Sequence, residues 1–206
     1  MSSQVKTKEK IDMDHKYIIT LTVTLLVTCV IVAGLLGLVN GVTAGPIAEI
    51  NWEKTQVAMS AVAADPDNTT FAETPLENTQ AMIDAATAAG GTLGDIYEAQ
   101  VNGESVGYAI TVSASGSQGT IEMMVGVDTE GTVTGVSIVS HSETSGIGTK
   151  VMNNEDGVLD QFKGKSAADG TLSVGTNVDA ITGATVSTRG VTTGVNAALA
   201  AVAAMG

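Results

Sequence analysis

The 206-residue sequence predicts an α+β fold: one N-terminal transmembrane helix, then a single extracytoplasmic domain in which helices flank an antiparallel sheet. Three observations predict it. Residues 18–39 (IITLTVTLLVTCVIVAGLLGLV) form a run of 22 without a charge. Between residues 95 and 140 the apolar period drops to two, punctuated by Asn102-Gly103 and Asp128-Thr129-Glu130-Gly131. On either side, Ala-rich stretches lack that alternation and read as helices.

The apolar run comes first. As a helix rising about 1.5 Å per residue it is roughly 33 Å long, enough for a hydrocarbon core of about 30 Å. Lys6, Lys8, Lys10 and Lys16 precede it, and the next cation is Lys54. The positive-inside rule then makes residues 1–16 a cytoplasmic tail and 17–40 the span, with residues 46–206 outside the cytoplasmic membrane. A cleaved signal peptide is the rival reading, because Val42-Thr43-Ala44 suits a small-residue cleavage site; signal apolar regions, however, usually run only about 7–15 residues. Cys29, the one cysteine, lies mid-span and reads as a small apolar residue. A lone cysteine also excludes an internal disulfide framework and a Cys-ligated metal cluster within this chain.

Residues 41–92 read as a helical linker and the beginning of the outer domain. A helix is expected over 47–64, stopped by Asp65-Pro66-Asp67-Asn68, and a weaker one from Glu77 to Ala88, ended by Gly90-Gly91. Residues 93–206 carry the main domain. Asp95–Val101 and Ser105–Ser113 are expected to form a tight hairpin at Asn102-Gly103, and Thr120–Val127 and Thr132–Ser140 a second. A Gly-rich loop, His141–Thr149, leads to a helical stretch near Met152–Phe162. A short strand at Leu172–Val178 and a helix from Val186 to Met205 complete the chain. With six aromatic residues in all, the core must be built from Val, Ile, Leu, Ala and Met, and a platform for stacking bases is excluded.

Charge narrows the function. The chain has 9 Lys+Arg against 22 Asp+Glu, a net charge of −13. The tail to residue 16 holds four lysines and three acids, which leaves the remainder five basic and 19 acidic groups, net −14. Nucleic acid is therefore not a partner, since phosphate backbones require clustered cations. No catalytic set is evident: there is no nucleophile with a partner base, no phosphate loop with a lysine, no HExxH pair and no metal-ligand cluster.

Two segments carry chemistry. Asp179-Ala180-Ile181-Thr182-Gly183-Ala184-Thr185 runs into Val186-Ser187-Thr188-Arg189, where a helix begins near Thr185. Unpaired N–H groups at a helix start favour an anion, Gly183 and Ala184 leave room for it, and Ser187, Thr188 and Arg189 add donors. Simple capping by Thr185 is the plainer alternative. The second segment, His141-Ser142-Glu143-Thr144-Ser145-Gly146-Ile147-Gly148-Thr149-Lys150, reads either as an ordinary surface loop or as a ligand-wrapping one in which Lys150 is a rare cation.

Together, in this order behind one anchor, the segments make the chain resemble the FMN-binding domain family, whose members carry flavin mononucleotide on a threonine through a phosphoester bond. The family's flavinylation motif falls on Asp179, Thr182, Gly183, Ala184 and Thr185, which implies covalent FMN on Thr185. Its upstream loop falls on His141, Glu143, Thr144, Gly146 and Gly148, with Ser145 in place of the usual Pro and Ile147 in place of the usual Leu. The resemblance implies a subunit of an Rnf-type ferredoxin:NAD oxidoreductase that couples electron flow to Na⁺ or H⁺ translocation. The longer subunits of the sodium-pumping NADH:quinone reductase are the next match. Other Rnf subunits and a Mg²⁺-dependent flavin transferase using FAD are the implied partners. Thr182, Ser187 and Thr188 are expected to donate to the phosphate, and Lys150 to stabilise negative charge on the reduced ring. The alternative of another class is an anchored interaction domain without redox function.

Overall fold

The computed structural model describes residues 15–205; residues 1–14, with Lys6, Lys8 and Lys10 of the orientation argument, lie outside the described residues. The chain divides into two units, one up to Ile50 and one from Asn51 onward. The first helix, α1 (His15–Val62), has bounds that take in both helices expected before residue 65, with Pro46 inside it. Among the described residues it is the one helix long and apolar enough to cross a membrane. In the first unit its Ile, Leu and Val side chains are exposed all round. The hydroxyls of Thr20, Thr22, Thr24 and Thr28 each donate to the carbonyl four residues back, so none needs water.

The second unit is built on a five-stranded antiparallel meander, β1 (Thr69–Phe71), β2 (Thr92–Val101), β3 (Glu104–Ser115), β4 (Thr120–Asp128) and β5 (Val133–His141), in spatial order 1-2-3-4-5. The β2–β3 hairpin turns at Asn102-Gly103, both at positive φ (54° and 85°), the primed turn that an Asn-Gly pair specifies. Alternation then sorts side chains to two faces. Ala109 and Met124 meet Ala58, Met59 and Val62 of α1, while Ile110, Val112, Met123 and Val125 face α2 (Gln80–Ala88) and α4 (Thr185–Ala203). Among the described residues Phe162 and Tyr97 are the only buried aromatics, so the core is aliphatic, as the composition requires.

Two expectations are corrected and one element is added. The stretch 152–162 is not one helix: α3 (Gly148–Met152) ends early and gives way to 3-10 turns at Glu155–Gly157 and Asp160–Phe162. Asn154, Asp156 and Gly157 all adopt positive φ, which no α-helix accommodates. Residues 172–178 are not a strand; Ser173 O accepts from the N–H groups of Thr176, Asn177 and Val178, leaving a single bridge between Val174 and Val178. Strand β1 is an addition to the expected elements, since three residues are too few to show a period.

Gly190 and Gly194, which weaken α4 as an isolated helix, let it lie close on the sheet. A Cβ at Gly190 stands 2.6 Å from Ser115 O and 3.2 Å from Gly116 Cα, both backbone atoms that cannot yield. Gly190→Ala gains up to about 1 kcal/mol of helix propensity but suffers overpacking of about 1–3 kcal/mol. The expected outcome is a net loss of about 1–2 kcal/mol, measured as a lower midpoint in chemical denaturation.

Candidate functional site

Ala184 and Thr185 open α4, and no side chain caps it. The Ala184 N–H donates to Ile181 O and the first bond into the helix is Thr188 N–H to Ala184 O, so the N–H groups of Thr185, Val186 and Ser187 have no backbone partner. Gly183 sits at φ +86°, the turn that directs the chain into the helix. Thr185 is exposed and its hydroxyl makes no hydrogen bond; Arg189, also exposed, lies one turn on along the same face. An exposed alcohol beside three free N–H groups and a nearby cation suits an anionic ester.

The two hydroxyls next along the helix turn inward. Ser187 is buried and donates to Glu143 Oε2 at 2.5 Å; Thr188 is fully buried and donates to Ala184 O at 3.1 Å. Both are therefore engaged within the fold rather than aimed at a phosphate on Thr185. Thr182 is exposed beside the helix start.

Glu143 ties three segments together. Its Oε1 accepts the Ser117 and Gln118 N–H groups at 2.7 and 3.2 Å, and its Oε2 accepts Ser187. The Glu143 N–H donates in turn to His141 Nδ1 at 3.2 Å. Burial pushes this carboxyl up, but the hydrogen bonds from Ser187, Gln118 and Ser117, helped by His141, outweigh it and hold the pKa below the ordinary range. Space around it is kept by glycine: a Cβ at Gly148 stands 2.5 Å from Glu143 Oε2 and 3.1 Å from Ser187 Oγ. Gly146, at φ +79°, donates to Thr149 Oγ1 at 2.9 Å, while Thr144 O accepts the Ile147 and Thr149 N–H groups. The loop is thereby folded back on itself and docked on the first turn of α4.

Beside it lies an open cleft of about 460 Å³, lined by Lys150, Asp156, Val158, Gln161, Asp179 and Thr182 among others. One end of each predicted segment thus faces the same space: Lys150 from the first, Asp179 and Thr182 from the second. Gln161 and the backbone donors Ser117 and Gln118 are additions to the residues that the sequence singles out. None carries a local signal, because the bonds that tie them to the predicted segments span 18 to 26 residues of chain.

Comparison with known proteins decides the family. Residues 116–200, which include both segments, match the FMN-binding domain family. The chain is 35% identical over 202 residues to the G subunit of the Na(+)-translocating ferredoxin:NAD(+) oxidoreductase complex of Acetobacterium woodii, covering 93% of this chain and 95% of that protein. The chain belongs to the G-subunit family of these complexes.

Other G subunits agree. The one from the proton-translocating ferredoxin:NAD(+) oxidoreductase complex of Clostridium ljungdahlii is 38% identical over 109 residues, 51% of this chain and 58% of that protein. The G subunit of the ion-translocating oxidoreductase complex of Methanosarcina acetivorans is 29% identical over 192 residues, 90% of this chain and 95% of that protein. Membership makes the chain an FMN-binding component of a multi-subunit oxidoreductase. At the start of α4 the Thr185 hydroxyl is exposed, while Ser187 and Thr188, which follow it in the helix, are buried.

Proposed function

We propose that this chain is a membrane-anchored electron-transfer subunit carrying FMN covalently on Thr185, within an Rnf-type complex that couples ferredoxin:NAD oxidoreduction to Na⁺ or H⁺ translocation. The observation that carries the reading is the opening of α4: an exposed, unpartnered Thr185 hydroxyl with three free N–H groups beside it. A phosphodiester at Thr185 would be held by those N–H groups, by the Thr182 hydroxyl and by Arg189. In an outer domain of net −14, that local field is what makes an anion tolerable. When bound, FMN supplies the redox chemistry, and the protein positions it and sets its surroundings.

The chain's own residues have limited tasks. Glu143, acting through Ser187, locks the helix start to the loop. Lys150, Asp179 and Thr182 line one cleft, Thr182 standing three residues before Thr185, and there Lys150 offers positive charge to a reduced ring. Residues 17–40 anchor the domain with the N-terminus cytoplasmic and the binding domain outside, which raises its effective concentration near membrane-embedded partner subunits. A covalent tether suits that location, where dissociated FMN would be lost. No acid lies within the span, so the ion path belongs to other subunits. No base stands beside Thr185 among the described residues, so its hydroxyl needs activation from outside the chain; a separate Mg²⁺-dependent flavin transferase with FAD as donor is what the family resemblance implies.

The test is a denaturing gel of the full chain made in a host with the transferase. A fluorescent band under ultraviolet light is expected; its absence there overturns the electron-carrier reading and leaves the interaction domain.

A further inference from the structure

The segment from Asp179 to Gly183 has little secondary structure to hold it. Its own backbone makes one backbone hydrogen bond, from Ala184 N–H to Ile181 O. Ile181 packs against the core in its middle, and a side chain from another element bonds its start. Gln161 Oε1 accepts the Asp179 N–H at 2.7 Å, and Gln161 Nε2 donates to Asp179 O at 2.9 Å and to Val158 O at 2.7 Å. The amide thus grips both backbone groups of one residue, as a neighbouring β-strand does. Its orientation is dictated, because the reverse would set an oxygen against two carbonyls and an N–H against an N–H. Gln161 is half-buried and lines the cleft beside Thr182, so the clamp stands at the edge of the site.

A second clamp of the same design holds the earlier part of the same stretch. Asn196 Oδ1 accepts the Leu172 N–H at 3.0 Å and Asn196 Nδ2 donates to Leu172 O at 2.8 Å. Leu172 is buried in the core and lies 13 residues before Thr185. Equal chemistry at two distances from the acceptor hydroxyl separates support of the fold from presentation of the site.

We infer that Gln161 is a positioning residue for flavin attachment: by fixing Asp179 it holds the Asp179–Ala184 segment in the form in which a transferase can reach Thr185. The inference rests on the reading that Thr185 is the attachment residue. In that reaction a bond forms between Thr185 Oγ and the FMN phosphorus of FAD, and the phosphoanhydride bond breaks. AMP leaves, the hydroxyl proton passes to the transferase or to solvent, and nothing is oxidised or reduced. If the segment is in the receptive form only part of the time, the apparent efficiency falls by that fraction.

The experiment uses the full chain, made without flavin in a host lacking the transferase and held in detergent micelles, then supplied with transferase, FAD and Mg²⁺. Initial rates of fluorescent labelling give kcat/KM for the chain as acceptor, and thermal melts run in parallel. Gln161→Met, which keeps bulk but no hydrogen bond, is expected to lower kcat/KM about tenfold. Asn196→Ala is expected to lower the melting temperature at least as much while leaving kcat/KM within about twofold of wild type. Gln161→Glu retains the shape and loses both donors; its rate relative to wild type is expected to recover as pH falls and its carboxyl regains a proton to donate. Equal slowing by the Gln161 and Asn196 variants, or wild-type rates in Gln161→Met, overturns the inference while the Thr185 reading stands. An unlabelled wild type, or labelling that persists in Thr185→Val, removes that reading itself and the inference with it.

Discussion

Thr185→Val is expected to abolish the covalent flavin band completely while leaving the fold unchanged. The substitution is nearly isosteric, keeps the β-branch at the first helical position and removes only the hydroxyl. That hydroxyl is exposed and makes no hydrogen bond, so its loss should change stability by no more than about 0.5 kcal/mol. Thr185→Ser keeps an alcohol at the same place and is expected to retain the band. Ser187 and Thr188 cannot substitute for it: one is bonded to Glu143, the other to Ala184 O, and both are buried. A fluorescent band in Thr185→Val, with an unchanged melting temperature, shows that attachment is elsewhere. In-gel fluorescence and intact mass on the same sample read the two quantities together.

Glu143→Ala is expected to cause the largest loss of stability among the site variants, about 3 kcal/mol. It leaves the buried Ser187 hydroxyl without its acceptor and takes the carboxylate away from the N–H groups of Ser117 and Gln118, two exposed residues. Glu143→Gln is expected to cost much less. Its amide oxygen can still accept the two N–H groups, and its nitrogen can donate to Ser187 Oγ, which then accepts. The pair also separates by pH. The Glu143 pKa is lowered in the folded chain, so its stabilising contribution is full above the unfolded carboxyl value, about 4.3, and is lost as pH falls through the folded value. The gap in stability between wild type and Glu143→Gln is therefore expected to be full from neutrality down to about pH 4.3 and to narrow as the pH falls further. Denaturation midpoints measured from pH 7 to pH 3 check this; a gap that stays constant means the carboxylate charge contributes nothing.

Elements with strong local signals were legible. Asn102-Gly103 demands positive φ at both central residues, and the strands around it alternate cleanly, so the hairpin follows from neighbours in sequence. The weak helix expected to start at Glu77 begins at Gln80, because Thr79 accepts the Met82 N–H and caps it there. Residues 152–162 and 172–178 misled because their apolar residues face the core without a regular period. Met152, Val158, Leu159, Phe162, Leu172 and Val178 are all buried, yet the backbone between them turns at Asn154, Asp156 and Ser173.

The sequence by itself determined the apolar span, the two hairpins, the closing helix and the two site segments with Thr185 among their residues. Each of these follows from covalent order, period or turn chemistry over a few neighbouring residues. Only the tertiary structure decided which hydroxyls are free. The α4 sequence is mostly Thr, Gly, Val and Ala, too uniform to say which side faces the sheet, and the close seat at Gly190 and Gly194 settles it. That choice turns Ser187 and Thr188 inward and Thr185 out. Glu143 likewise becomes a three-way anchor, and Gln161 a clamp, only when residues far apart in the chain are brought within hydrogen-bond distance, a proximity that no local pattern encodes.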